Sequence, residues 1–310
     1  MPVLVSIAAT PRHLRTASAE PVSIQHALHQ VADTLSAELA TLWGSLLDDV
    51  EDEIDVSTVT QAVDDDDTLA VLALFAAAWQ TAVERPARRL LPVLLTQGVS
   101  QAAARIQDAT RLALGLTALV AFQPGLAEVD QAVAAYAGAQ VYAIGTTSQR
   151  AGYVAWHVAR ELGHGTARYR ARLLRALAGL TPAQVSTALR AEETLEAQQV
   201  PREVILTEVD TLAHDGRQLR AQQIAETQAM DTVNLGQQHL WEQAARAGQL
   251  DTDVFRQYWV LADEDACVRC APVPALNADG VALGGLFHTP IGDVTGPTLH
   301  PRCRCTLEGH

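Results

Sequence analysis

The chain contains no lysine. All 22 of its basic residues are arginine, and 36 carboxylates outnumber them, for a formal net charge of −14. That balance repels nucleic acid and excludes a nonspecific DNA coat. The exclusive use of arginine is read as the mark of a GC-rich coding genome rather than of a mechanism. Cysteine is absent from the first 266 residues. Cysteines used as small apolar residues are scattered among hydrophobic runs, so their confinement to one end excludes that use. Long apolar runs are also missing. Leu69 to Trp79 and Leu112 to Phe122 are the greasiest segments, and each falls short of the ~20 residues that span a bilayer, so both read as buried core helices and no membrane partner is expected. Met1 to Thr10 is apolar but lacks a basic n-region and a long h-region, so no secretory signal is expected. A Gly-x-Ser-x-Gly elbow, a phosphate-binding loop and a dinucleotide glycine signature do not occur, so no enzyme class and no small-molecule substrate is supported.

What remains is a helical composition. Apolar residues make up 48% of the chain, only 5% are aromatic, and alanine and leucine dominate. At 310 residues the chain is long enough for two or three domains and a substantial core. Residues 1 to 22, with Pro2, Pro11 and Pro21, read as an extended arm. Ile24, Leu28, Val31, Leu35, Leu39 and Leu42 then recur at helical spacing and predict a helix from about Ser23 to Leu47. An acidic linker runs to Asp67. Proline and glycine punctuation predicts helices over about 68–84, 87–122, 126–143 and 148–178, with breaks at Pro86, Pro124-Gly125 and Gly145. Gly179-Leu180-Thr181-Pro182 reads as a stop and restart. Helices over about 182–198 and 201–247 follow, although His214-Asp215-Gly216 resembles a helix-ending turn. From Val254 to Leu261 the pattern turns β-like. The fold class expected is mainly α, an elongated helical body with a small C-terminal α+β zinc-stapled module.

Charge is uneven along the chain. From Asp33 to Asp67 there are twelve acidic residues and no basic one, read as a solvated helix and loop boundary in which Asp67-Thr68 suits a cap, with a docking surface for a basic partner as the competing reading. Arg168, Arg170, Arg172 and Arg175 form the strongest basic patch and are candidate contacts to DNA or to an acidic protein face. Leu173, Leu174, Leu177 and Leu180 form an apolar stripe that leaves those arginines on the wet side of a helix. His157, Glu161 and His164 have the spacing H-x3-E-x2-H, which is not the H-E-x-x-H of a zinc protease, and read as a local polar patch.

The cysteines carry the sharpest signal. Cys267-Val268-Arg269-Cys270 is followed by His300-Pro301-Arg302-Cys303-Arg304-Cys305. A C-x2-C turn presents two thiolates to one ion, and tetrahedral zinc takes sulfur and imidazole ligands. Cys303 and Cys305, two apart on an extended strand, face the same way. The expected ligands are the four cysteines, with His300 as a hydrogen-bonding neighbour or a substitute for one thiolate. Disulfides or reduced, metal-free cysteines are the alternatives, and a chain without a secretory signal favours metal.

Tyr258-Trp259-Val260, then Asp263-Glu264-Asp265 leading into Cys267 and Cys270, then Phe287 and the closing His300-Pro301-Arg302-Cys303-Arg304-Cys305 occur in the order found in one family. The region from about 216 to 310 resembles the C-terminal module of the Mu F-like phage minor head, or head morphogenesis, proteins. Ile224-Ala225-Glu226-Thr227 occupies the place of that family's Arg-Thr-Glu helix signature and matches it only in part. The resemblance implies a structural assembly component of a virion, located inside the capsid near the portal and in the host cytoplasm during assembly. Its implied partners are the portal protein, the major capsid or scaffolding protein, and packaged DNA. The division expected is 1–66 for arm, first helix and acidic linker, 67–215 for the helical body, and 216–310 for the module. Two other readings stay open: a zinc-dependent nuclease of His-Asn-His type, with His300 as base and Asp293 as metal ligand, and a zinc-ribbon adaptor outside any virion.

Overall fold

The computed structural model describes residues 19–161, 165–262 and 267–310. His164 and the Asp263-Glu264-Asp265 run therefore lie outside the described residues, as does most of the expected N-terminal arm. The fold is mainly helical, with a small C-terminal region built on two strands. No described helix is long and apolar enough to cross a membrane.

Three long helices make the centre. α1 (Ala19–Asp52) packs along α8 (Arg202–Arg246), and both pack on α4 (Arg85–Ala113). α1 buries Ile24, Leu28, Val31, Leu35 and Leu39 of the anticipated stripe, but Leu42 is only half-buried and Trp43 and Leu47 continue the buried face instead, with Trp43 donating its indole N–H to Gln228 of α8 at 2.8 Å. Close approach of the three axes depends on the absence of side chains at two points. A Cβ at Gly98 would lie 2.5 Å from Leu35 and 2.9 Å from Thr232, and one at Gly236 would lie 2.6 Å from the backbone oxygen of Val99. α5 (Ala127–Glu161) closes the other side of α4, on α3 (Thr68–Trp79) and α7 (Pro182–Ala197), while α2 (Val56–Asp64) pairs with α6 (Ala167–Ala176).

Several expected boundaries are corrected. The acidic linker contains α2: Asp55 caps it by accepting from Ser57 and Thr58, and those bonds hold the Asp55 carboxyl well below the usual carboxylate range. Asp67 caps α3 through the Ala70 N–H, as anticipated. Pro86 does not stop the chain, because a π-helical turn over Gln80–Glu84 widens the helix immediately before it, and α4 continues through Pro92. α4 ends instead at Ala113, where Gly115 takes φ +65 as a helix stop. Gly145 is not a break either. It lies inside α5 against Trp79, whose indole nitrogen would be 2.8 Å from a Cβ there. Gly216 plays the same part inside α8, 3.0 Å from Leu180 by the same measure, so His214-Asp215-Gly216 ends no helix. The Thr181 capping box with Gln184 and Pro182 follows the sequence reading.

The boundary drawn at 215/216 falls within α8, which buries a face in the helical core along both halves and whose second half also carries the C-terminal region. There β1 (Gln257–Val260) pairs antiparallel with β2 (Thr306–Gly309), Gln257 opposite Gly309, so that the region's first and last segments meet. α9 (Val273–Leu276) lies between them. A separate core forms around Trp241, Phe255, Trp259, Phe287 and Leu307, with Trp241 edge-on to Phe255 at 5.3 Å and Trp259 edge-on to Phe287 at 5.6 Å.

The helix crossing sets a checkable expectation. Gly236→Ala forces a methyl onto the α4 backbone and is expected to cost about 1–3 kcal/mol. Gly138→Ala in α5, whose nearest neighbour is 4.0 Å away, is expected to gain up to about 1 kcal/mol from helix propensity. Urea unfolding monitored by circular dichroism separates the two, and equal effects contradict the packing described.

Candidate metal centre

The cluster is assembled from two tight turns. In Cys267–Cys270 the N–H groups of Cys270 and Ala271 both return to the Cys267 carbonyl, at 3.0 and 2.9 Å. In His300–Cys303 the Cys303 N–H returns to the His300 carbonyl at 3.1 Å, with Arg302 at φ +64. His-x2-Cys therefore closes by the same i to i+3 hydrogen bond as Cys-x2-Cys, with a left-handed residue, Arg302, in the second turn alone, and the side chains of the two turns meet.

His300 Nε2 lies 2.9 Å from the sulfur of Cys267 and 3.3 Å from that of Cys270, and the Cys270 and Cys303 sulfurs are 3.7 Å apart. Tetrahedral zinc with ~2.3 Å bonds to sulfur holds two thiolates at about that separation. The donors fall into two overlapping groups, Cys267–Cys270–His300 and Cys270–Cys303–Cys305, each within 4.8 Å mutually and sharing Cys270. All four cysteines are free thiols, and all but Cys267 are buried.

The electrostatics describe a nest of sulfur that holds one negative charge by itself. The hydrogen bond from Cys305 draws the Cys303 thiol down, and that same bond pushes Cys305 up. Burial first, and then the Cys303 charge, push Cys270 up to about 12. Further ionisation in this space needs a cation. On the other side of the ring, His300 Nδ1 lies 2.9 Å from the Pro301 carbonyl. A proton on Nδ1 satisfies that carbonyl and leaves the Nε2 lone pair aimed at the sulfurs. This donor set fits a thiolate- and imidazole-binding ion such as zinc.

The turns are held in place by the two longest central helices. Arg302 bonds Glu226 of α8 at 2.5 Å and donates its backbone N–H to Thr227 Oγ1 at 3.0 Å. Arg304 pairs with Asp33 of α1 at 2.8 Å, and its carbonyl meets His29 Nε2 at 2.9 Å. Further along α8, Asp231 accepts from the Thr298 N–H and hydroxyl, Asn234 donates to the Cys305 carbonyl, Gln237 to that of Leu307 and Gln238 to that of Thr295. Sequence reasoning missed this polar stripe. Its signal, Thr227, Asp231, Asn234 and Gln238 at spacings of three and four, looks like an ordinary solvated face.

The other candidates are dispersed. Asp293 binds His288 Nδ1 at 2.8 Å and belongs to neither donor group. The His157 ring lies tilted at 57° against Tyr153, with ring centres 4.2 Å apart. On α6, Arg172 pairs with Glu203 at 2.8 Å and Arg175 with Asp52 at 3.1 Å, Arg170 is half-buried with its Nε enclosed, and Arg168 is exposed. Part of the acidic run is thus neutralised by the protein's own arginines: Asp48 and Glu51 grip Arg217, and Glu51 and Asp52 meet Arg175.

Comparisons with protein-family models, with curated proteins and with solved structures found no match to this chain.

Two measurements follow from these charges. Cys270 is protonated at pH 7, so zinc binding is expected to release at least one proton, seen as a calorimetric enthalpy that changes with the ionisation enthalpy of the buffer; a buffer-independent enthalpy contradicts it. Burial raises the Asp231 carboxyl from 3.8 to about 6, against the hydrogen bonds from Tyr136 and Thr298 that pull it down. The folded protein therefore keeps a proton that the unfolded chain releases, and the stability this gives is full below pH 3.8 and lost as pH rises through 6. Relative to Asp231→Asn, the wild-type chain is expected to lose up to about 3 kcal/mol between pH 4 and 7, read by urea unfolding.

Proposed function

We propose that this chain is a structural, non-enzymatic minor head protein of a tailed phage, with a C-terminal module closed by one zinc ion. The observation that carries the reading is the meeting of separated sequence elements at the sulfur cluster. The Cys-x2-Cys turn, the His-Pro-Arg-Cys-Arg-Cys turn, the aromatic strand with Trp259 and the Glu226-Thr227 pair on the preceding helix all converge there. These are the elements that carry the resemblance to Mu F-like proteins, and both arginines of the closing motif are engaged by helices rather than offered to a ligand.

The ion is held by Cys267, Cys270, Cys303 and His300. Cys305 stays a thiol beside it, hydrogen-bonded to Cys303. This revises the expectation of four cysteines, on the strength of the His300 ring, whose Nδ1 is engaged by the Pro301 carbonyl while Nε2 faces the sulfurs. Bound there, zinc supplies a cross-link for a module with too small a core to close alone. The portal protein is the primary partner, with the major capsid or scaffolding protein and packaged DNA as further contacts inside the capsid. Assembly takes place in the host cytoplasm.

Zinc content of purified variants tests the ligand set. His300→Ala and Cys270→Ser are expected to lose at least tenfold in zinc affinity, while Cys305→Ser retains one zinc per chain; loss on Cys305→Ser with retention on His300→Ala reverses the assignment. Asymmetric imaging of particles assembled with the chain tests the function. Density for it is expected inside the capsid at the portal vertex, and particles lacking the chain contradict the proposal. Cleavage of duplex DNA with Mg²⁺, abolished by His300→Ala, favours the nuclease reading instead.

A further inference from the structure

α3 has no charged side chain in its twelve residues, from Thr68 to Trp79. A helix apolar on every side belongs in a core. Phe75 and Trp79 do face inward, but Leu69, Leu72, Ala73 and Ala76, spaced i, i+3, i+4, i+7, form a face left at the surface, with Leu69 79% exposed. On α5 alongside, Tyr142 and Tyr153 are 73% and 49% exposed. Between the helices lies a groove of about 590 Å³, floored by Phe75 and Trp79. The floor is rigid, because those rings press against Gly152 and Gly145, where a Cβ would stand 3.2 and 2.8 Å away.

The charge of this groove is opposite to that of the protein. Among the described residues no carboxylate lines it, although the chain carries −14, and exposed Arg150 is on its wall. Behind the floor lies Arg220, only 4% exposed, donating to Ser148 Oγ at 2.8 Å and to the carbonyls of Gly179, Leu180 and Ile144, with its guanidinium 5.9 Å from the Trp79 ring. Trp79, Ser148 and Gly179 are themselves walls of the groove. The contrast with Arg217, one turn earlier on α8, is direct. Arg217 is equally buried but held by Asp48 and Glu51, whereas no carboxylate among the described residues pairs with Arg220. A buried guanidinium bonded only to neutral dipoles retains an uncompensated charge, and burial draws Arg220 down to about 10.

We infer that the groove between α3 and α5 is a docking site for an apolar helical segment of a partner protein that carries a carboxylate. Apolar side chains of that segment cover Leu69, Leu72 and Tyr153, and its carboxylate lies against Arg150, above Arg220. The twelve residues of α3 run about 18 Å, enough for three turns of a docked helix. The site is distinct from the sulfur cluster, and its occupation requires neither zinc nor an assembled head.

The test is fluorescence anisotropy on the full chain with a stapled, fluorescein-labelled helical peptide of repeating leucine, alanine and glutamate. A twin peptide with every glutamate replaced by glutamine serves as its control. The glutamate peptide is expected to bind at least tenfold more tightly than its twin. Arg150→Gln, a surface change, is expected to weaken it about threefold or more, and Ala73→Arg on the exposed α3 face to abolish binding while the circular-dichroism melt is retained. Equal affinity of the two peptides, no binding of the glutamate form, or undiminished binding to Ala73→Arg overturns the inference. Dimerisation of the chain through this face, abolished by Ala73→Arg and excluding the peptide, overturns it in favour of a second copy.

Discussion

Sulfur atoms packed as closely as those of Cys270, Cys303 and Cys305 cannot all carry charge unless a cation stands among them. The C-terminal region depends on that constraint. Its aromatic core of Trp241, Phe255, Trp259 and Phe287 is small, and its two strands are four residues each. A short two-stranded pair is marginal by itself. The meeting of the two turns reinforces the β1–β2 pairing that joins the ends of the region, and each turn brings donor atoms toward the other.

The cluster does not float on a flexible tail. α8 is one uninterrupted helix that serves two structures: its first half buries Ile205, Leu206 and Val209 in the bundle, and its second half offers a polar stripe to the backbone of the closing loop. Because Arg302 binds α8 and Arg304 binds α1, strain at the cluster is transmitted to two helices of the packed centre. The arginines of the closing motif thus have a mechanical role, and the same economy is visible at the other end of α1, where Arg175 and Arg217 neutralise Asp48, Glu51 and Asp52 of the acidic run.

Much of this was legible in the chain because the relevant rules are local. Helical periodicity located the α1 stripe, Gly179 to Pro182 marked a stop and restart, and the cysteine spacing anticipated sulfurs on a common point. Legibility ended where a residue acts through a distant partner. Gly145 and Gly216 look like breaks until Trp79 and Leu180 are seen pressed against them. Pro86 looks like an end until the preceding turn widens. Spacing brought His300 to the sulfurs but left open whether it binds an ion or only hydrogen-bonds, a choice on which the Pro301 carbonyl beside Nδ1 bears. Phe255 and Trp241 lie outside the motif and still supply much of the module's core.

X-ray absorption at the zinc edge on the full-length, metal-loaded protein tests the central claim most directly. The account predicts a four-coordinate shell of three sulfurs at about 2.3 Å and one imidazole nitrogen at about 2.0–2.1 Å. A shell of four sulfurs removes His300 from the site, and a shell of oxygen and nitrogen without sulfur contradicts the account altogether.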